Sequence, residues 1–195
     1  RYLADGTHPA GWTRSSFADG TWATGAGELG YGDGDEATVI PRQGLSALFR
    51  RTFEADPAAA PYLELGLNVD DGATVWINGN PVLTENMPSG TITETTPASS
   101  AVFGAQESDT TVHRLPSSVL VNGTNTIAVS VHQSDSASVD LTFDLSLTRT
   151  TTGGTTVPPP DITVTAPPPP VPATPTEFVA AGSAWRYLDD GSDQG

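Results

Sequence analysis

Cysteine and lysine are both missing from this 195-residue chain, and methionine occurs once. Without cysteine there is no disulfide framework, no thiolate nucleophile and no zinc–thiolate centre. Without lysine there is neither Schiff-base catalysis nor a Lys–Asn isopeptide cross-link within the chain. No apolar run approaches the roughly 18 residues that a bilayer-spanning helix needs, so no membrane insertion is expected. Positive charge is scarce as well: 8 arginines face 23 acidic residues, for a formal net charge of −15. Neutralising phosphates takes basic clusters, and nucleic acid is therefore not an expected partner.

What the chain does hold is glycine and proline, 20 and 17 of them, with abundant Thr and Ser. That balance favours short strands and turns over helices. Residues 150–177 differ from what precedes them: they carry 9 of the 17 prolines, including Pro158-Pro159-Pro160 and Pro167-Pro168-Pro169-Pro170. Such composition favours an extended, semi-rigid polyproline II spacer reaching on the order of 85 Å.

Residues 1–149 read as period-2 strands between Gly, Asn, Asp and Pro clusters. Leu63, Leu65, Leu67 and Val69 alternate on one face, as do Ile127, Val129 and Val131, and Leu141, Phe143, Leu145 and Leu147. A further strand is expected over 47–53. Residues 74–83 form a hairpin whose Asn78-Gly79 pair supplies the positive φ angles of a type I′ turn, and one helical turn is expected over 116–121. About eight antiparallel strands with long loops predict an all-β, two-sheet sandwich of jelly-roll type.

The motif Arg1-Tyr2-Leu3-Ala4-Asp5-Gly6 returns as Arg186-Tyr187-Leu188-Asp189-Asp190-Gly191. Self-similarity at a fixed period marks modular arrays. The second copy is preceded by an apolar run, 178–185, that the first lacks. The expected organisation is a sandwich at 1–149, a linker at 150–177, and the first strand of a following repeat at 178–195. Phe178, Val179, Ala181, Trp185, Tyr187 and Leu188 are then donor-strand residues, closing the chain's own sheet or, by preference, a neighbour's.

The stretch from Val69-Asp70-Asp71-Gly72 to Ile77-Asn78-Gly79, with Gly123-Thr124-Asn125 through Val131-His132-Gln133, resembles galactose-binding-domain-like jelly rolls. Similar motif pairs occur in the non-catalytic sugar-binding domains of β-galactosidase-type glycosidases and in repeat modules of large secreted bacterial proteins. Arg1-Tyr2-Leu3 through Val39 is similar to the same modules. The resemblance covers 1–149 and 178–195 and implies an extracellular or cell-surface bacterial setting. Separately, Asp70-Asp71-Gly72 resembles the Asp-Asp pair with which yeast-adhesin-type lectin domains hold calcium and sugar. The competing account is a tight turn in which the Asp side chains cap the backbone and Gly72 takes φ > 0.

Asp33, Asp35 and Glu36 form the densest carboxylate cluster and are candidate Ca²⁺ ligands, the alternative being a solvated loop. Trp76 is the candidate sugar-stacking aromatic, against a packing role. His8, His113 and His132 lack metal-type spacing, and no nucleophile elbow or phosphate-cradling loop occurs, so catalysis is not expected. Two functions follow as expectations. One is a non-catalytic structural or adhesive repeat that associates with copies of itself, head to tail; the other is a carbohydrate-binding accessory domain of a secreted enzyme. Polysaccharide is a partner only under the second.

Overall fold

The computed structural model describes residues 7–151 and 177–187. Arg1-Tyr2-Leu3, Leu188 and almost all of the expected linker lie outside these, and the side chains of Arg186 and Tyr187 are likewise not described. The described residues form an all-β sandwich with twelve strands. These are β1 (Ala23–Ala26), β2 (Leu29–Tyr31), β3 (Thr38–Val39), β4 (Ser46–Ala55), β5 (Tyr62–Asp70), β6 (Gly72–Ile77), β7 (Asn80–Glu85), β8 (Thr111–Pro116), β9 (Gly123–His132), β10 (Leu141–Thr150), β11 (Glu177–Val179) and β12 (Ala184–Tyr187).

One six-stranded sheet runs β1-β12-β4-β9-β6-β7. The other runs β3-β2-β10-β5-β8, with β11 added beside β10. Pairing is antiparallel except between β2 and β3, which are parallel. This departs from the wholly antiparallel expectation because the two strands are only three and two residues long and are joined by a wide Gly/Asp loop.

The alternations expected from sequence face inward. Leu63, Leu65, Leu67 and Val69 of β5 and Leu141, Phe143, Leu145 and Leu147 of β10 are buried against Phe49, Val75, Ile77, Ile127, Val129 and Val131 of the opposite sheet. Phe49 and Phe143 stack between the sheets with ring centroids 4.1 Å apart. In the β6–β7 hairpin, Asn78 and Gly79 take φ of 52° and 84°, as a type I′ turn requires. The Asn78 side chain then donates to Asn125 Oδ1 at 2.8 Å and accepts from Thr126 N at 2.9 Å, tying the turn to β9. Ser117–Val119 is a single 3₁₀ turn where a helical turn was expected.

A second, smaller core covers the outer face of the first sheet. There Trp12, Trp22, Leu48 and Ala128 are buried together, with Phe17 and Trp76 packed on them. Residues 7–22 reach this face through successive tight turns, such as Trp12 N to Pro9 O and Phe17 N to Arg14 O. At the open side of the sandwich, His113 of edge strand β8 bonds Glu85 of edge strand β7 at 2.7 Å.

Candidate functional site: the seat of the C-terminal strands

Residues 177–187 are not one strand, as expected over 178–188, but two strands on different sheets. β11 lies beside the end of β10, pairing Leu147 with Val179 and Thr148 with Glu177. A turn at 180–183, with Gly182 at φ 73°, then carries the chain across the sandwich. β12 enters the first sheet as an interior strand, pairing Ala23, Thr24, Gly25 and Ala26 of β1 on one side and Arg50 and Phe49 of β4 on the other. Without β12, β1 has no strand to pair with.

The segment is seated by burial and by hydrogen bonds. Trp185 is fully buried, edge-on to Phe143 at 5.2 Å, and Val179 is fully buried beside it in the core. Phe178 lies 5.8 Å from Phe53, and the Arg149 guanidinium stands 5.4 Å over the Phe178 ring. Ala181 is exposed at the turn. Asp144, on the outward face of β10, accepts the Gly182 N–H at 2.8 Å, Gly27 N–H donates to Ser183 O at 2.8 Å, and Arg51 donates to Ala184 O at 2.7 Å. In the ladder β12 pairs with β4 at Arg50 and Phe49, and a groove of about 470 Å³ opens there, lined by Asp19, Thr24, Arg50, Arg51, Thr52 and Ala184.

Sequence reasoning found the segment but not its receptors. Asp144 sits in Leu141-Thr142-Phe143-Asp144-Leu145, where alternation gives an outward acidic residue the look of ordinary solvent exposure. Gly27 is likewise silent in the sequence, although an added Cβ there would collide with Asp144 Oδ1.

The other candidate residues are not gathered into one site. Glu36 accepts the Asp33 and Gly34 N–H groups with its two carboxylate oxygens, at 3.0 and 3.1 Å, and Asp33 accepts from Thr142 Oγ1 at 3.0 Å, while Asp35 is exposed. Among the described residues no three His, Asp or Glu side chains converge as metal ligands. Asp70 and Asp71 are buried at 2% and 3% exposure. Asp71 accepts Val102 N at 2.6 Å and Ser134 N at 2.7 Å, tying down two distant loops; this is not the locally capped tight turn of the alternative, since Gly72 does not take a positive φ. Burial, the hydrogen bond to Asp71 and its charge push the Asp70 carboxyl up to about 8. Trp76 is half-buried and edge-on to Trp12 at 5.1 Å.

His132 ends β9, as the sequence suggested. Its Nδ1–H donates to Thr96 O at 2.8 Å, so Nε2 accepts from the Ser130 hydroxyl at 2.8 Å. Hydroxyl and imidazole stand as in an activated nucleophile, yet both residues are 0% exposed.

No family model, curated protein or solved structure matches the chain.

Proposed function

We propose that this chain is a non-catalytic, extracellular structural or adhesive repeat module that associates head to tail, a copy's residues 177–187 filling the seat between β1 and β4 of the next. The observation that carries this is the interior position of β12. The strand comes from beyond the Pro-rich stretch and carries the Arg-Tyr pair that also opens the chain. A neighbour's copy has the same residues, so the contacts that seat the segment in one body serve equally for the next. Head-to-tail exchange is a heterologous contact, which propagates into open filaments. The carbohydrate-binding alternative has less support, since Trp76 is turned against Trp12 and Asp70 and Asp71 are buried.

The test compares the full chain with one ending after Thr151, by melting and by sedimentation over a range of concentrations. The truncated chain is expected to melt lower and to aggregate, because it leaves β4 an open edge beside core residues. The full chain is expected to form multimers as concentration rises. Two equally stable monomers would remove the proposal.

A further inference from the structure

The end of the sandwich where the C-terminal turn sits gathers carboxylates. Glu28, Asp33, Asp35, Glu36 and Asp144 lie close enough that the other four all raise the pKa of Glu28, although burial is its largest cause. Burial likewise raises Asp144, against the hydrogen bonds from Gly182 and Leu145 that favour its ionised form. Among the described residues neither Glu28 nor Asp144 is in an ion pair.

A second, independent observation lies one strand away. Asn68 stands directly opposite Asp144 in the β5–β10 ladder and is 9% exposed. Its amide nitrogen is turned to Glu28 Oε2 at 3.5 Å, and its carbonyl oxygen Oδ1 is buried with no hydrogen-bond partner. Asn68 and Asp144 share the wall of a cavity of about 60 Å³ with Ser146, Gly66, Thr110 and Ala181. Gly66, opposite Ser146, keeps it open: a Cβ there would stand 2.7 Å from Ser146 Oγ. A buried acceptor with no donor has lost its hydration without compensation. Two half-buried carboxylates beside it call for positive charge, not for another acceptor.

We propose that this cavity is a calcium site, in which Asn68 Oδ1, the Asp144 carboxylate and Ser146 Oγ face the ion and Glu28 supplies the second negative charge alongside. Oxygen-only donors of mixed type are what a hard cation takes, with water completing six to eight positions. Asp144 Oδ1 already accepts from Leu145 N and Gly182 N, but Oδ2 accepts only the Gly182 N–H and keeps a second lone pair for the ion. The ion thereby fixes the turn at 180–183 and with it the seat of β11 and β12. The site differs from the Asp33, Asp35 and Glu36 loop. In that it involves the turn, it rests on the strand-seating proposal, but it holds whether the segment comes from the same chain or a neighbour.

The full chain, stripped with chelator, is titrated with CaCl₂ at constant ionic strength and followed by calorimetric binding and by melting. Binding is expected at a Kd on the order of 10⁻⁴–10⁻³ M, as in extracellular modules, with a Tm rise of about 3–6 °C at ten times Kd. Asn68→Ala, which leaves the Asp144–Gly182 bond intact, is expected to abolish both, as is Asp144→Asn, while Asp35→Asn retains them. No binding, binding that survives Asn68→Ala, or binding lost in Asp35→Asn overturns the site. Running the truncation comparison both with CaCl₂ and in chelator keeps the two proposals apart: a stability difference that persists in chelator carries the strand seat without the ion, and only the increment gained on adding calcium belongs to the site.

Discussion

At single residues, burial has set two titrations against each other. His132 is held neutral, its pKa lowered to about 4 chiefly by burial and next by the His8 charge, and His8 itself is lowered by burial. A lowered imidazole binds its proton less readily when folded. Its contribution is therefore complete above the unfolded value near 6.5 and is lost as pH falls toward 4, by up to roughly 3 kcal/mol. Asp70 has the opposite sign. Its raised pKa makes the folded state bind the proton more tightly, so stability declines as pH rises from the unfolded value near 3.8 to about 8. Between about pH 4 and 6.5 the two slopes oppose, and above 6.5 Asp70 acts without His132. Asp70→Asn mimics the protonated carboxyl, donating to Asp71 without titrating. The variant is expected to lose less stability than the parent between pH 6.5 and 8, and to fall more steeply on acidification. Glu28 and Asp144 share the sign of Asp70, so the difference between the two proteins is the diagnostic quantity. Urea denaturation from pH 4.5 to 8.5 measures it, and parallel profiles would exclude a neutral Asp70.

Among the elements, the N-terminal segment is held to the outer face of the first sheet by one buried cation. Arg50, 1% exposed, donates to Asp19 Oδ2 at 3.1 Å, to Arg14 O at 3.1 Å and to Trp12 O, and lies 5.3 Å from the centre of the Phe17 ring. A planar fork can serve these diverging acceptors; an ammonium cannot. Arg50→Met is expected to cost about 3–5 kcal/mol, because it removes the guanidinium from Asp19 and leaves the Trp12 and Arg14 carbonyls and the Phe17 face without it. Arg50→Met with Asp19→Asn should recover part of that loss, and a cost under about 1 kcal/mol in the single variant would show that the segment is held by Trp12 and Trp22 alone. None of this was legible in the sequence. Trp12 and Trp22 recur at no strand or helix period, and Arg50 reads as an outward charge on an alternating strand. What was legible has a local cause: Leu63 to Val69 and Leu141 to Leu147 carry their period within one strand, and Asn78-Gly79 carries its turn in two residues. The place of Trp185 was legible only through repetition, and its splitting from Val179 onto the other sheet was not, because Gly182 between them reads as a minor interruption. Asp144 and Asn68 are invisible for a different reason: what matters is which residue each faces across the ladder, and register is a tertiary property.

For the whole molecule, the question is which body receives the C-terminal strands. The pairing of Thr148 with Glu177 places the described residues on either side of 152–176 at the same end of β10. Closing such a loop within one chain is entropically modest for a flexible linker and dearer for a stiff one. Nine prolines in and around that stretch make the composition stiff. A flexible tether would hold the segment near its own seat at an effective concentration in the millimolar range, whereas a linker that resists the return lets a neighbour compete. The absence of cysteine allows a clean readout of the choice. Ala26 and Ala184 are directly paired across β1 and β12, and both are exposed. Antiparallel partners have Cα atoms about 4.5–5.5 Å apart, within the span a disulfide bridges. In the double variant Ala26→Cys, Ala184→Cys, oxidation after refolding at increasing concentration is expected to give a ladder of covalently linked multimers on a non-reducing gel. Each rung is one chain seated in the next. A single intramolecular product at every concentration would place the strand permanently in its own sheet, and the head-to-tail array would then need some other contact to hold it together.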